Sequence, residues 1–220
     1  MIEQSFSEVF ADALGGEPTV VVGIGDEPMS LPVHLWSRTA TDTDHALVAL
    51  CDGPTLDVGC GPGRFVVGLA HRGTVALGVD PAPAAVALCR SKGAPVLQKS
   101  VFDPLPGQGR WRTVLLADGN IGIGGDPERL LRRCRDLLAD DGTVVVEVEP
   151  PSCASAGWRP YRARLERGPA CGPWFNWAVV GADAIAGLAR AAGLRLLRLE
   201  PLPAEGRCFA HLGGPGLVDA

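Results

Sequence analysis

The most constraining feature of this chain is a glycine-rich turn set between a buried strand and a helix. Thr55 to Val58 reads as a short buried strand, and Gly59-Cys60-Gly61-Pro62-Gly63 as the turn. Arg64 to His71 reads as a helix stopped by Gly73. Glycines in such a turn let the backbone bend sharply and bring it close to a ligand. A strand that enters a helix this way is one unit of an alternating fold, so the neighbouring sequence should repeat the rhythm.

It does. Val75 to Val79 reads as the next strand, and Pro83 to Ser91 as a helix closed by Gly93. Pro95 to Leu97 follows as a short strand, and Thr113 to Ala117 as one buried on both faces. Asp126-Pro127-Glu128 opens a helix with a cap, a proline at the first position and an acid in the first turn. That helix places Leu130, Leu131, Cys134, Leu137 and Leu138 on one side, and Asp140-Asp141-Gly142 is expected to turn the chain into a strand from Thr143 to Val148. Asp183 is expected to cap a helix from Ala184 to Ala192, with strands over Leu194 to Leu199 and Arg207 to Leu212. The pattern predicts an α/β fold, a doubly wound and mostly parallel sheet with helices on both faces.

Two regions break the rhythm. Within 1–42, Phe6, Val9, Phe10 and Leu14 are spaced for one amphipathic helix ended by Gly15-Gly16, and Thr19 to Ile24 is either a strand or a buried loop. From Asp42 or Thr43 a capped helix leads to the turn at Asp52-Gly53-Pro54. The stretch 149–182 is too long for an ordinary strand-to-helix loop. Within it Tyr161 to Arg167 partly alternates, and Trp174 to Val180 is placed to pair with it as a hairpin. Insertions at strand ends are where such folds put substrate contacts. The expected organisation is one domain: a lid or substrate segment at 1–42, a core at 43–150, an aromatic insertion at 151–180, and a final helix and strands at 181–220.

Composition removes several classes of function. Hydrophobic content of 46% and 20% charged residues indicate a globular chain. The net charge of −5, with basic residues scattered among acidic ones, argues against a nucleic-acid groove. No apolar run is long enough to span a membrane, and the N-terminus lacks the basic start and apolar stretch of a signal peptide. Seven cysteines without a Cys-x-x-Cys pair or zinc-like spacing point to free thiols in a reducing cytoplasm and to no metal site. Of the 20 basic residues all but Lys92 and Lys99 are arginine, which fits a GC-rich bacterial coding sequence.

Two acids narrow the ligand of the glycine turn. Asp57 stands two residues before the first glycine, and Asp80 ends the second strand. A carboxylate at the second position can accept hydrogen bonds from both hydroxyls of a ribose, which disfavours a phosphorylated one. A dinucleotide site also uses such an acid, but it prefers Gly-x-Gly-x-x-Gly, whereas this turn is Gly-x-Gly-x-Gly.

In these residues the chain resembles the class I, Rossmann-like methyltransferases that use S-adenosylmethionine, over roughly 43–150 and loosely in the last strands. The resemblance implies the seven-stranded sheet of that family, with the N-terminal helical segment and a hairpin-like insertion after the fifth strand as additions. It implies that Asp57, Gly59, Cys60, Gly61 and Gly63 wrap the methionine end of the donor, and that Asp80 with Pro81 holds the ribose. Family members often carry an aspartate five residues before the Leu-Pro pair, to contact the adenine. Here that residue is Ser100, so the contact is expected from its hydroxyl or from Val101 and Phe102. Ala117-Asp118-Gly119-Asn120 matches the strand end that faces the reacting methyl group, making Asp118 both a donor contact and, with Asn120, a catalytic candidate. The product is S-adenosylhomocysteine.

Methyl transfer is an in-line displacement in which positioning alone supplies up to about 7–11 kcal/mol of the barrier. A base is needed only where the acceptor loses a proton. Of the four histidines His34, beside Trp36, is the best base candidate, whereas His71 and His45 read as surface residues and His211 as packed near the sheet. Asp118 and Asn120 also suit a tight turn. Trp36, Trp174, Phe175 and Trp177 read as the lining of an aromatic substrate pocket rather than only the core of a lid, and Trp36, Trp174 and Trp177, with Asn120, are the expected substrate contacts. The leading function is methylation of a small molecule at O, N, C or S by a monomer or homodimer. The alternatives are a methyltransferase acting on protein or nucleic acid, which lacks support from a basic stripe or an Asn-Pro-Pro-aromatic motif, and a non-methylating lyase, cyclase or scaffold that binds the same donor.

Overall fold

The structure, a computed structural model, describes residues 1–38, 40–151, 157–202 and 206–214. Cys153 and parts of the insertion and of the C-terminal segment lie outside the described residues. The core is a seven-stranded sheet in the order β6-β5-β4-β7-β8-β13-β12. These strands are β4 (Thr55–Val58), β5 (Ala76–Asp80), β6 (Val96–Gln98), β7 (Trp111–Leu116), β8 (Leu138–Val148), β12 (Arg195–Leu202) and β13 (Arg207–Gly213). Only β13 runs against its neighbours. Thr55, Thr113 and the leucines and valines of β4, β7 and β8 are buried on both faces, which is why these strands read as apolar runs rather than alternating ones.

The helices cover this sheet. α3 (Asp42–Ala49) and α4 (Arg64–His71) pack together beside β4, α5 (Pro83–Ser91) connects β5 to β6, and α6 (Pro127–Leu137) and α7 (Ile185–Ala191) pack on one another. α3 begins with a reciprocal capping box between Thr41 and Asp44. α6 begins as its sequence predicts, the Asp126 carboxylate accepting from the Arg129 N–H at 2.9 Å. Because β4 pairs with β5 on one side and β7 on the other, strand order reverses at β4 and a crevice opens beyond its C-terminal end.

A second sheet closes over that crevice. It joins β1 (Ile2–Glu3), β2 (Val20–Val22) and β3 (Met29–Ser30) from the N-terminal segment to β9 (Trp158–Arg167), β10 (Ala170–Cys171) and β11 (Phe175–Val180) from the insertion. The hairpin is present, with Phe175 opposite Ala163 and Val180 opposite Trp158. Val21 pairs with Leu165, so the two irregular regions of the sequence form one structure. α1 (Phe6–Leu14), closed by Gly15, and the short α2 (Val33–Ser37) pack beside it. β11 lies on a 3-10 segment, Asn120–Gly125, and that approach depends on Gly122: a Cβ there would stand 2.2 Å from the Ala178 carbonyl oxygen.

Two local expectations are corrected. Asp140-Asp141-Gly142 does not make a tight turn, because β8 runs through it and absorbs the extra residues where Trp111 pairs with Leu138 but Thr113 with Thr143. Asp183 does not cap α7. Both its carboxylate oxygens accept from the Gly157 N–H, at 3.1 and 2.9 Å, and Ala184 takes the cap position without a side-chain bond. The chain leaving β11 carries Asp183 toward the hairpin rather than along the helix.

Candidate active site

The glycine turn lies at the reversal point. Gly59, Gly61 and Gly63 have φ of 71°, 53° and 81°, the left-handed region that side chains avoid. At Gly59 space decides as well: a Cβ would sit 2.7 Å from the Asn120 amide nitrogen. That amide donates to the carbonyls of Val58 at 2.9 Å and Gly59 at 3.0 Å, so Asn120 pins the turn to the end of β7.

Asp80 ties the second strand to the same turn. Its Oδ2 accepts from the Gly61 N–H at 3.0 Å and its Oδ1 from the Ala82 N–H at 2.8 Å. Burial raises the Asp80 pKa, and the two backbone N–H groups only partly offset it. Each oxygen keeps a lone pair for a further donor. Asp57, one strand away, is buried with Oδ2 unpartnered. Burial pushes its pKa up to about 8, and the Asp118 charge adds to the rise against the pull of Arg64.

Behind the turn lies a chain of ion pairs that the sequence reading missed. Arg64 bridges Asp44 at 3.1 Å and Asp118 at 2.7 Å. Arg207 meets the same Asp118 oxygen at 3.2 Å and places two N–H groups on Glu147, each at 2.8 Å. Arg38 also pairs with Asp44, and the Asp118 N–H donates to Glu147. Asp118 is the only non-glycine residue with positive φ among the described residues, at 54°. Aspartate tolerates that conformation better than most side chains, and both guanidinium groups hold it there.

The charges of this cluster are set by opposing causes. Burial raises the Asp118 pKa, Arg64 opposes it, and Glu147 adds to it. Burial acts the same way on Asp44, but the Thr41 N–H and Arg64 prevail and hold it below the usual range. Burial lowers the Arg207 pKa, yet its bonds and charge contact with Glu147 lift it above the usual value. Signals for the cluster exist in the sequence. Arg64 starts a helix, against the preference of that end for acids, and Glu147 interrupts a valine run.

The turn, Asp80 and Asp118 face one cavity of about 440 Å³. Of the residues singled out from sequence, Gly59, Cys60, Gly61, Asp80, Pro81, Ser100, Val101, Asp118, Asn120, Trp36 and Trp177 line it. Others do not. Gly63 is the cap of α4, packed on Cys89, and Asp57 lies within β4. Phe102 stacks under Arg129 at 4.2 Å, and Trp174 is exposed under Arg164 at 4.8 Å. His34 is exposed on α2 and away from the wall, so the structure does not bring it to the site. His45 and His71 are exposed, and His211 is buried with Nε2 unpartnered. Phe175, also expected at the pocket, lines it, and Phe6 and Phe10, not singled out as substrate contacts, complete the roof. Among the described residues no group of acids, histidines or cysteines is arranged to hold a metal ion, and no helix is long and apolar enough to cross a membrane.

The sequence model of a methyltransferase-domain family matches residues 42–199. No curated protein matches the chain in sequence. Among solved structures, the chain is similar to a SAM-dependent methyltransferase from Bacteroides fragilis in complex with S-adenosyl-L-homocysteine. That match has 19% identity and a TM-score of 0.78, over 95% of this chain and 94% of that one. It is also similar to the glycopeptide N-methyltransferase MtfA complexed with S-adenosyl-L-methionine, at 12% identity and a TM-score of 0.64, over 81% and 88%. A third is the 1,6-didemethyltoxoflavin-N1-methyltransferase of Burkholderia thailandensis, at 20% identity and a TM-score of 0.57, over 81% and 79%. At these identities the likeness is one of fold.

Proposed function

Since the chain belongs to the methyltransferase-domain family, we propose that it moves the methyl group of S-adenosylmethionine onto a small-molecule acceptor. The observation that carries this reading is the convergence of the glycine turn, Asp80 and Asp118 on one cavity. The residues present fit the donor. A Cβ on Gly61 would meet nothing within 4 Å, leaving the turn open to a ligand, and Asp80, which lines the same cavity, keeps a lone pair on each carboxylate oxygen. Two of the solved structures that share the fold are complexes with S-adenosylhomocysteine and S-adenosylmethionine.

In this reading the backbone of Gly59 to Gly61 holds the methionine end. Asp80 takes the ribose hydroxyls on its free lone pairs, and Pro81, Ser100 and Val101 flank the adenine. When bound, the sulfonium supplies an activated methyl group. The protein supplies position: the Asn120 amide fixes the turn, and the ion pairs fix Asp118 at the edge of the cavity. Holding the acceptor in line at roughly 3 Å from the methyl carbon accounts for most of the catalysis such a site can provide. The roof covers the cavity with apolar side chains, and a cavity of about 440 Å³ that also has to hold the donor leaves room for a small acceptor. One structure that shares the fold is named for a small-molecule acceptor, 1,6-didemethyltoxoflavin. The buried thiols of Cys51, Cys60, Cys89, Cys134, Cys171 and Cys208 suit a cytoplasmic setting.

The test is calorimetric titration with S-adenosylhomocysteine, followed by transfer of labelled methyl from S-adenosylmethionine into small molecules of a bacterial extract. The expected result is binding with label in the small-molecule fraction. Binding of dinucleotides but of neither adenosyl ligand would sink the reading, and label found only in protein or nucleic acid would overturn the acceptor class.

A further inference from the structure

The roof of the cavity bears on the acceptor. Five aromatic rings form a connected chain along it. Phe6 stacks on Phe10 with centroids 5.4 Å apart and meets Phe175 edge-on at 5.4 Å. Phe175 meets Trp177 edge-on at 6.2 Å, and Phe10 lies 6.4 Å from Trp36. All five line the cavity, and the rest of the roof is aliphatic apart from Ser30. Among the described lining residues there is no lysine, histidine, tyrosine or glutamate, and the charged ones are Arg64, Asp80 and Asp118. An anionic acceptor under this roof would lose its hydration without a free counter-ion, since Arg64 is bonded to Asp44 and Asp118, at a cost of several kcal/mol. A flat ring instead gains stacked and edge-on contacts.

Asp118 stands where floor meets roof. Its Oδ1 takes both Arg64, at 2.7 Å, and Arg207, at 3.2 Å. Its Oδ2 has no hydrogen-bond partner among the described residues, and the side chain is 25% exposed at the cavity wall. Trp177, on β11, lines the same cavity and packs on the segment that follows Asp118: a Cβ on Gly122, four residues on, would come within 2.6 Å of the indole. A carboxylate with one oxygen clamped and the other open, facing an aromatic compartment, is built to accept one proton donor from a ring.

We propose that the acceptor is an uncharged, flat aromatic molecule whose nucleophilic atom carries a proton, a ring hydroxyl or ring N–H, with that proton bonded to Asp118 Oδ2 and the ring lodged among Phe175, Trp177 and their neighbours. The inference rests on the donor reading above. In the transfer, a lone pair of the oxygen or nitrogen forms the bond to the methyl carbon while the carbon–sulfur bond breaks. Its electron pair stays on sulfur, turning the sulfonium into a neutral thioether. The proton of the nucleophile passes to Oδ2, so one cation and one carboxylate become two neutral groups, and the proton then leaves to water. Burial, which raises the Asp118 pKa, makes the carboxylate a better base for this step than an exposed one.

The probes are 2-naphthol, indole, 2-methoxynaphthalene, which lacks the proton, and decahydro-2-naphthol, which lacks the flat ring. Each is titrated into the protein saturated with S-adenosylhomocysteine, read by tryptophan fluorescence and calorimetry. The expected result is that 2-naphthol or indole binds at least about tenfold tighter than both controls, the tighter of the two identifying hydroxyl or N–H. Asp118→Asn removes the preference over the methyl ether, and Trp177→Leu the preference over the saturated alcohol, with S-adenosylhomocysteine affinity in Trp177→Leu kept within about twofold. Equal binding of either control by the wild-type protein overturns the proposal, whatever the variants do. If S-adenosylhomocysteine itself does not bind, the donor reading falls and this inference falls with it, whereas its binding without any aromatic preference defeats the acceptor inference alone.

Discussion

The floor and the roof of the cavity are held together by different physics. The floor is directional: left-handed glycines, backbone N–H groups on Asp80, and guanidinium groups on Asp44, Asp118 and Glu147. The roof is ring against ring and strand against strand, with its charged side chains turned to other tasks such as the Arg167–Asp12 and Arg164–Glu166 pairs. Buried charges and bent backbones fail when one partner is lost, whereas an apolar contact surface loses strength gradually with area. A fixed donor matched by a floor of the first kind, and an acceptor by a roof of the second, would explain why one cavity has two construction rules.

That contrast can be broken or sharpened experimentally. The largest effect is expected at Arg64. Arg64→Met takes from the buried Asp44 and Asp118 the cation they share at closest range, leaving Arg38 and Arg207, and unfolding free energy in denaturant titrations should fall by about 3 kcal/mol. A loss below about 1 kcal/mol would mean the floor is not held by these pairs. Next comes Asp80→Ala. Removing two carboxylate acceptors should weaken S-adenosylhomocysteine binding about 100-fold by calorimetry, and the loss of the acceptor of the Gly61 and Ala82 N–H groups should lower unfolding free energy by about 1–3 kcal/mol. Equal affinity would show that the ribose is held elsewhere.

The pH dependence of stability is the third effect. Asp57 has a folded pKa of about 8 against an ordinary value of 3.8, so the folded chain keeps a proton that the unfolded chain gives up, and stability falls as pH rises across that window. His211 is the reverse case. Burial first, then the charge of Arg198, brings its folded pKa down to about 4, so its contribution is lost as pH falls from about 6.5 toward 4. The two slopes oppose one another below about 6.5, and above it Asp57 is freed of His211 up to about 8, with the raised Asp80 and Asp118 acting in its direction. Denaturation at pH 6.5, 7 and 8 should give a downward slope of up to about 1.4 kcal/mol per pH unit, and Asp57→Asn should flatten it. The smallest effect is expected in the roof. Phe10→Leu should cost about 1 kcal/mol of stability and leave S-adenosylhomocysteine affinity unchanged. A large loss of donor binding there would show that roof and floor act as one unit.

Legibility followed the same division. The glycine turn, Asp80 and the strand ends were readable because each depends on its own neighbours in the chain: a turn needs its glycines, and a helix start needs Asp126 and Pro127 next to each other. The ion pairs were not, since Asp44, Asp118, Glu147 and Arg207 come from four separate elements and meet only when the sheet has formed. Asp183 shows the limit of local rules. It has the residue type of a helix cap, yet the better donor was the Gly157 N–H. His34 failed for a similar reason, because its neighbour Trp36 turns to the cavity while the imidazole stays exposed.

By itself the sequence determined the alternation of strands and helices, the sharp turn after β4 and the acid at the end of β5, since hydrophobic period, glycine and capping are properties of adjacent residues. It also held both halves of the roof, as an amphipathic helix and an aromatic hairpin. Only the tertiary structure decided that the two belong together. β2 reaches β9 across more than a hundred residues, and nothing in either segment names the other. Strand pairing satisfies backbone groups without regard to side-chain identity, so the partner of an edge is chosen by the fold that brings it near. The same holds for the floor. The turn was written in the chain, but the arginines that hold Asp118 open to the cavity were placed by the sheet.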